Sequence, residues 1–487
     1  MTATGGQPSG GGPFVVGVDS STQSTKALVV DVATGEVVAR GQAPHRVSGG
    51  AGRESDPEQW WDALGEALRQ CGEAARRAGA VSVGGQQHGL VTLDTAGRPV
   101  RPALLWNDVR SAPQRDRLVE RLGGAEAWAR RTGSVPAPAF TVTKWAWLME
   151  NEPEAAKAAA AVRLPHDYLT GRLTGRGTTD RGDASGTGWW TGSGGPGGSY
   201  DEEILDLVGL DPALLPEVVP PGEPAGEVRA DLEGLPLPGG ALVAAGTGDN
   251  MAAALGLGLR PGRPVLSLGT SGTVYAVAGQ RPSDPTGTVS GFAAAHGDWL
   301  PLACTLNCTL AVDRVAALFG LDRESVEPGG SAVVLPFLDG ERTPNLPYAS
   351  GLLHGLRHDT TAGQVLQAAY DGAVYALLAA LDLVLDADAD PDAPILLIGG
   401  GARGVAWRET VRRLSGRPVL VPAASELVAL GAAAQAAGVL TGEDPVEVAQ
   451  RWGTDRGEFF DAVGRDEEAV ARLAATLDAA GPLLQGV

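Results

Sequence analysis

Apolar residues in this chain fall in short runs separated by small, polar turns, and two sets of runs match each other. Residues 14–18 form an apolar run that stops at Asp19, and Ser20-Ser21-Thr22-Gln23-Ser24-Thr25 is a polar turn. Residues 26–31 return as a second run, and Ala33-Thr34-Gly35 turns the chain into a third at 37–40. Short β-branched runs joined by hydroxyl- and glycine-rich turns predict an antiparallel meander. Past the middle, Pro264–Leu268, the turn Gly269-Thr270-Ser271-Gly272 and the run 274–278 predict a second hairpin of the same form. VGVDSSTQSTKALVV and LSLGTSGTVYAVA lie roughly 250 residues apart, which suggests a duplicated unit.

Between and after these hairpins the pattern changes period. Asp56-Pro57-Glu58 is a helix start, with a cap, proline at the first position and an acid in the first turn. The helix is predicted to run to about residue 78, with Trp60, Trp61, Leu64 and Leu68 as its core stripe. A strand at 81–83 opens into Gly84-Gly85-Gln86-Gln87-His88-Gly89, and the run ending in Trp106-Asn107-Asp108 repeats that form. Residues 113–122 read as a surface helix, 164–175 as a helix end and loop, and 191–199 (TGSGGPGGS) as a mobile surface loop. In the second half, the strand Ile395–Ile398 ends in Gly399-Gly400-Gly401, followed by a helix at about 406–415. A strand at 419–422, a small-residue helix at 426–438 and an amphipathic helix at 466–484 complete the prediction.

Composition narrows the class. At 487 residues the chain exceeds what one core usually holds, so two domains are expected. Proline-rich 212–224 and the linker-like 235–240 place the boundary near 240: a tail at 1–12, one domain at 13–240 and a second at 241–487. The tail is Gly/Ser-rich and is expected to be disordered rather than a signal peptide. No apolar run approaches a membrane span. A net charge of −20 argues against general binding to nucleic acid or anionic membrane, while leaving room for a local nucleotide site. Three cysteines, Cys71, Cys304 and Cys308, indicate neither a disulfide framework nor a zinc site, and a cytoplasmic setting fits best. Lys26, Lys144 and Lys157 are the only lysines, and the first two fall in segments with other functional signals.

The candidate chemistry centres on Gly246-Thr247-Gly248-Asp249-Asn250, an acid in a glycine turn before a small-residue helix at about 251–256. Taken alone it is also an ordinary N-cap. The GTSG turn is likewise an ordinary hairpin or, with its exposed N–H groups, a phosphate cradle. Asp19 is either a turn former or a carboxylate for a magnesium ion beside hydroxyl donors for phosphate. Gln87 and His88 at a strand end suit a polyhydroxy ligand, while a lone histidine is equally an ordinary structural residue. Strand, triple glycine, helix is a loop on which a flat ring can lie, yet it matches neither GxGxxG nor GxxxxGK[ST].

These segments together resemble the FGGY carbohydrate kinases of the actin-like ATPase superfamily. The resemblance runs from residue 15 to about 438. It is carried by the hairpin 19–26, GQQHG at 85–89, WND at 106–108, FTVTKWAWL at 140–148 and LPHDYLTGRLTG at 164–175. It continues through GTGDN at 246–250, SLGTSG at 267–272, DGERTP at 339–344, GLLHGLRHDTTAGQVLQAAYDG at 351–372 and IGGGAR at 398–403. It implies an α/β, two-domain, ribonuclease H-like fold with a duplicated core and a cleft between the domains. The implied activity is ATP- and Mg²⁺-dependent phosphorylation of D-xylulose to D-xylulose 5-phosphate. Another ketose or polyol such as ribulose is an alternative, and so is a non-catalytic, sugar-responsive regulator of the same fold. The resemblance assigns Asp249 as general base and Gln87, His88, Asp249 and Asn250 as sugar contacts. It assigns Asp19 to the metal, Thr22, Gln23, Gly269, Thr270 and Ser271 to the phosphates, and Gly400, Gly401 and Ala402 to the adenosine. The partners implied are the sugar and ATP; the oligomeric state, a homodimer included, stays open. Two positions depart from the family pattern: Ser21 stands where the first turn usually has glycine, and Thr247 stands in a usual Gly-Gly-Gly-Asp-Asn turn.

Overall fold

The computed structural model describes residues 14–47, 52–232, 234–385 and 389–485; the tail expected at 1–12 lies outside them. Two mixed sheets organise the chain, and they share one topology. In the first sheet the order is Pro224–Glu227, Leu242–Ala244, Ala78–Gly85, Phe14–Ser20, Ser24–Asp31, Val37–Pro44. In the second it is Gly457–Phe460, Val419–Pro422, Ile395–Ile398, Pro264–Leu268, Gly272–Ala276, Trp299–Thr305, with Ser290–Ala293 added at the edge. Each sheet is an antiparallel three-stranded meander, then two parallel strands, then an antiparallel edge strand. The duplication read from the two hairpins therefore extends to the whole core of each half.

Central strands are buried on both faces, which explains their unbroken apolar runs. Val15, Val16, Val18, Val29 and Val30 in the first sheet, and Val265, Leu266, Leu268, Leu396 and Leu397 in the second, are fully buried. The helix Pro57–Ala75 covers the first sheet, capped by the Asp56 carboxylate, which accepts from the Glu58 N–H. It stops short of the expected end because Gly72 leaves helical geometry and Ala78–Gly85 is already strand. Trp60 is buried as expected; Trp61 is only half-buried and carries the Arg172 guanidinium over its ring.

Strand pairing in the first sheet runs past the boundary expected near residue 240. Leu242–Ala244 and Thr247–Gly248 both pair in parallel with Ala78–Gly85, so the chain remains in the first sheet beyond 240. The halves meet through two helices in equivalent topological positions, Asp249–Gly256 and Leu427–Thr441, each coming after the strand that lies beside the antiparallel edge strand of its own sheet. They pack backbone to backbone. A Cβ on Gly256 would lie 2.1 Å from the Leu427 carbonyl oxygen, and one on Gly431 would lie 1.8 Å from that of Ala252. Leu427–Thr441 also lies directly on the first sheet, where a Cβ on Gly17 would come within 1.9 Å of the Ala429 oxygen. The small-residue helix expected at 426–438 thus lies against the sheet of the opposite half. Among the described residues no helix is long and apolar enough to cross a membrane.

Candidate active site

A cleft of about 600 Å³ opens between the halves. Asp19 and Lys26 reach it from the first hairpin, Ser267 and Tyr275 from the second, and Asp249, Asn250 and Ala253 from one crossing helix. Its other wall is Leu397 to Gly400, Ala402, Arg403 and the segment leading into the second crossing helix. Sequence-predicted residues Asp19, Asp249, Asn250, Gly400 and Ala402 therefore share one cavity.

Asp249 starts its helix, where the dipole favours negative charge. Its Oδ1 accepts from the Asn250 N–H at 2.8 Å and from Asn250 Nδ2 at 3.0 Å. Burial, and then the nearby Asp183 charge, push its pKa up to about 7. Asp19 is the penultimate residue of the first strand, and burial followed by the charge of Asp249 raises it to about 7 as well. Among the described residues no donor satisfies the Asp19 carboxylate. A buried carboxylate without a partner is a group that a cation would stabilise. Among the described residues no group of three or more His, Cys, Asp or Glu side chains is arranged to hold a metal ion by itself. Magnesium is commonly held by one or two carboxylates together with phosphates and water.

The sugar candidates join the cleft through Asn250. Its Nδ2 donates to Gln87 Oε1 at 2.8 Å, which leaves Gln87 Nε2 buried without a partner. His88 follows, in left-handed backbone geometry at φ 65°. Such strain in a non-glycine residue often marks a functional position. Its Nδ1 lies 2.8 Å from the Gly186 carbonyl oxygen, which only accepts, so Nδ1 carries the proton. Burial, then the charge of Lys144, hold the ring neutral with its pKa down to about 3. Nε2 is then a hydrogen-bond acceptor. Phe140 stacks on the ring at 4.8 Å and Phe292 leans on it at 5.6 Å.

The phosphate and nucleotide candidates divide. Thr22 Oγ1 accepts from Trp106 Nε1 at 3.1 Å, which gives the tryptophan of WND a structural partner. Gln23, Thr270 and Ser271 are exposed at the hairpin tips. The bases of these hairpins line the cleft, whereas Thr22, Gln23 and Gly269 to Ser271 do not. Gly399 has φ 85°, and a Cβ there would meet the Leu268 carbonyl oxygen at 2.8 Å. A Cβ on Gly400 would point into open space, and Gly401 packs behind it on Leu268 and Thr309. Backbone at Gly400 is thus bare to a ligand.

Four cleft residues escaped the sequence reading of the site. Lys26 and Glu426 form an ion pair of 2.6 Å across the two halves, with Glu426 in left-handed geometry at φ 60°. Tyr275 points a buried, unpartnered hydroxyl into the region of Asp249. Arg403 closes the glycine wall. Lys26 had a signal in the scarcity of lysine and Arg403 in the IGGGAR segment; Tyr275 and Glu426 had none. Lys144, by contrast, is buried away from the cleft and donates to the Pro138 and Ala139 carbonyls, bracing the loop that delivers Phe140.

Both halves of the chain match known proteins. Residues 14–256 match the N-terminal domain of the FGGY family of carbohydrate kinases, and residues 265–439 match its C-terminal domain. The chain belongs to the FGGY family of carbohydrate kinases. The break between the two matches, at residues 257–264, falls where the second sheet begins at Pro264. This FGGY kinase is 77% identical over 474 residues to the xylulose kinase of Streptomyces rubiginosus, covering 97% of this chain and 98% of the relative. It is 33% identical over 425 residues to the xylulose kinase of Escherichia coli, covering 82% and 85%. Its fold matches the crystal structure of xylulose kinase from Bifidobacterium adolescentis with a TM-score of 0.83 at 36% identity, over 96% of this chain and 99% of that one.

Proposed function

We propose that this FGGY kinase transfers the terminal phosphoryl group of ATP to D-xylulose, giving D-xylulose 5-phosphate and ADP, with Asp249 as general base. The observation that carries the chemistry is the Asp249 carboxylate, with Oδ1 tied to Asn250 and the side chain facing the inter-domain cleft. A pKa of about 7 suits a group that must gain a proton in the transition state. The choice of xylulose is supported by the name and 77% identity of the Streptomyces relative.

The step balances simply. The attacking hydroxyl oxygen forms a bond to the terminal phosphorus while its proton passes to Asp249. The bond from that phosphorus to the bridging oxygen breaks, and its electron pair leaves on ADP. General-base help of this kind is worth roughly 10²–10⁴-fold. Gln87 Nε2 offers a donor to the sugar and His88 Nε2 an acceptor, which orients the acceptor hydroxyl. Asp19 would hold the magnesium ion, whose charge offsets that of the phosphates. The turns holding Thr22 and Gln23, and Gly269, Thr270 and Ser271, would meet the phosphates; Gly400, Gly401 and Ala402 would lie against the adenosine. We place the domain division between Gly256 and Pro264, with the crossing helices as the hinge region. Three free thiols and the use of ATP fit a reducing cytoplasm.

Product analysis tests the reading. Incubation with D-xylulose, ATP and magnesium should give one equivalent each of ADP and D-xylulose 5-phosphate. In a panel of ketoses and polyols, D-xylulose should have the highest kcat/KM. A higher value for ribulose would overturn the substrate assignment, and absence of sugar-dependent ADP release would overturn the phosphoryl-transfer chemistry.

A further inference from the structure

The LPHDYL segment has no part in the chemistry above, yet it carries a histidine that lies directly beneath the catalytic turn. His166 is fully buried. A Cβ on Gly246 would come within 2.6 Å of its Cδ2, and a Cβ on Gly85 within 2.9 Å of its Cβ. The ring thus underlies both the GTGDN turn and the GQQHG turn. Its Nδ1 is 2.9 Å from Asp183 Oδ2, and its Nε2 is 3.2 Å from Asp167 Oδ1 and 3.7 Å from Asp180 Oδ1. Burial opposes a charge on this ring, but the three carboxylates prevail and hold its pKa up to about 9. One imidazolium therefore sits among three buried carboxylates.

Asp180 connects this cluster to the turn. Its Oδ1 accepts from the Asp183 N–H at 2.9 Å, and its Oδ2 accepts from the Gly182 N–H at 2.8 Å and from Thr247 Oγ1 at 2.7 Å. Thr247 is buried two residues before Asp249. From the opposite side, Gln435 of the crossing helix Leu427–Thr441 clamps Gly246. Its Oε1 accepts from the Gly246 N–H at 3.1 Å, and its Nε2 donates to the Gly246 carbonyl at 3.0 Å. The turn is thus held at 246 by the second half of the chain and at 247 by the buried histidine cluster. Only the second tie needs a side chain from the turn itself, and position 247 is one at which the family's usual glycine has no hydroxyl to offer.

We propose that Thr247 is a positioning residue: its hydroxyl bond to Asp180, backed by the His166–Asp183 pair, sets where the Asp249 carboxylate stands in the cleft. This rests on Asp249 being the base. The physical reason is geometric, since a displacement of about 1 Å at a reacting group can cost on the order of 10²-fold in rate. A hydroxyl bonded to a buried carboxylate is a short, charge-assisted tie suited to fixing a turn.

Four variants test this: Thr247→Ser keeps the hydroxyl, Thr247→Val keeps the volume, Thr247→Ala removes both, and Asp249→Asn tests the base itself. The expected result is Thr247→Ser within about twofold of wild-type kcat, and Thr247→Val and Thr247→Ala lower by about tenfold or more. The KM for ATP should be unchanged and circular dichroism native in all of them. Full kcat in Thr247→Val, with Asp249→Asn inactive, would overturn the positioning role and leave the base intact. An active Asp249→Asn would overturn the base assignment whatever Thr247 does. If Thr247→Val and Thr247→Ala both fail to fold while Thr247→Ser folds, the hydroxyl is a stability element and the proposal fails.

Discussion

Asp249→Asn should make the ligand-free protein more stable while it abolishes turnover. The folded pKa of Asp249 stands at about 7 against an ordinary value of 3.8, with burial the first cause. The folded state therefore holds a proton that the unfolded chain has already released, and stability falls as pH rises from about 4 to about 7. Above pH 7 the cost is complete. A shift of about 3 units at ~1.4 kcal/mol each gives roughly 4 kcal/mol as an upper bound. Asp249 keeps part of its surface open to the cleft, so solvent screening reduces this to about 1–3 kcal/mol. Asparagine carries no charge and preserves the shape and an oxygen for the Asn250 N–H. With an unfolding entropy of ~2.1 cal/mol/K per residue over 487 residues, 1 kcal/mol corresponds to about 1 °C in Tm. Differential scanning calorimetry of both proteins without nucleotide, magnesium or sugar should show the variant about 1–3 °C higher at pH 8. The advantage should shrink toward zero as pH approaches 4. A variant equal to or less stable than wild type at pH 8 would refute the reasoning, because it would mean that the folded protein already satisfies the carboxylate's charge.

Two further predictions concern the scaffold. Gly431→Ala puts a methyl 1.8 Å from the Ala252 oxygen, so the crossing helices must separate. Overpacking of this kind costs about 1–3 kcal/mol, and calorimetry should show a lower Tm together with reduced kcat/KM, since these helices carry Asp249. Phe140→Ala removes the ring stacked 4.8 Å from His88. The loss of about 0.5–1.5 kcal/mol should raise the KM for the sugar roughly 2- to 13-fold with the KM for ATP unchanged, measured by ADP release.

Local pattern was enough for the hairpins, the GTGDN turn and the glycine wall, because each is a short segment whose turn chemistry is visible in its own residues. Asp19, Asp249, Asn250, Gly400 and Ala402 meet in one cleft because the duplicated topology brings equivalent strand ends together. Long-range placement was not visible. The linker-like stretch before 240 resembled a boundary, yet Leu242–Ala244 returns to the first sheet through pairing with a strand about 160 residues earlier. Residues 164–175, with Pro165, Gly171 and two threonines, read as a helix end and loop; they form the helix Pro165–Thr174, with proline at its first position and Asp167 satisfying the Leu164 N–H. Lys144 looked functional by its neighbours, but burial and two carbonyl partners make it a brace. Tyr275 and Glu426 enter the site only through tertiary contact, which no period or spacing encodes.

The most direct measurement of the central claim is the sugar-dependent release of ADP by Asp249→Asn in saturating D-xylulose, ATP and magnesium, on protein shown to be folded. Loss of the base predicts a kcat lower by about 10²–10⁴-fold than wild type. A variant that keeps more than about a tenth of wild-type turnover, well short of that loss, would contradict the assignment of Asp249 as the proton acceptor.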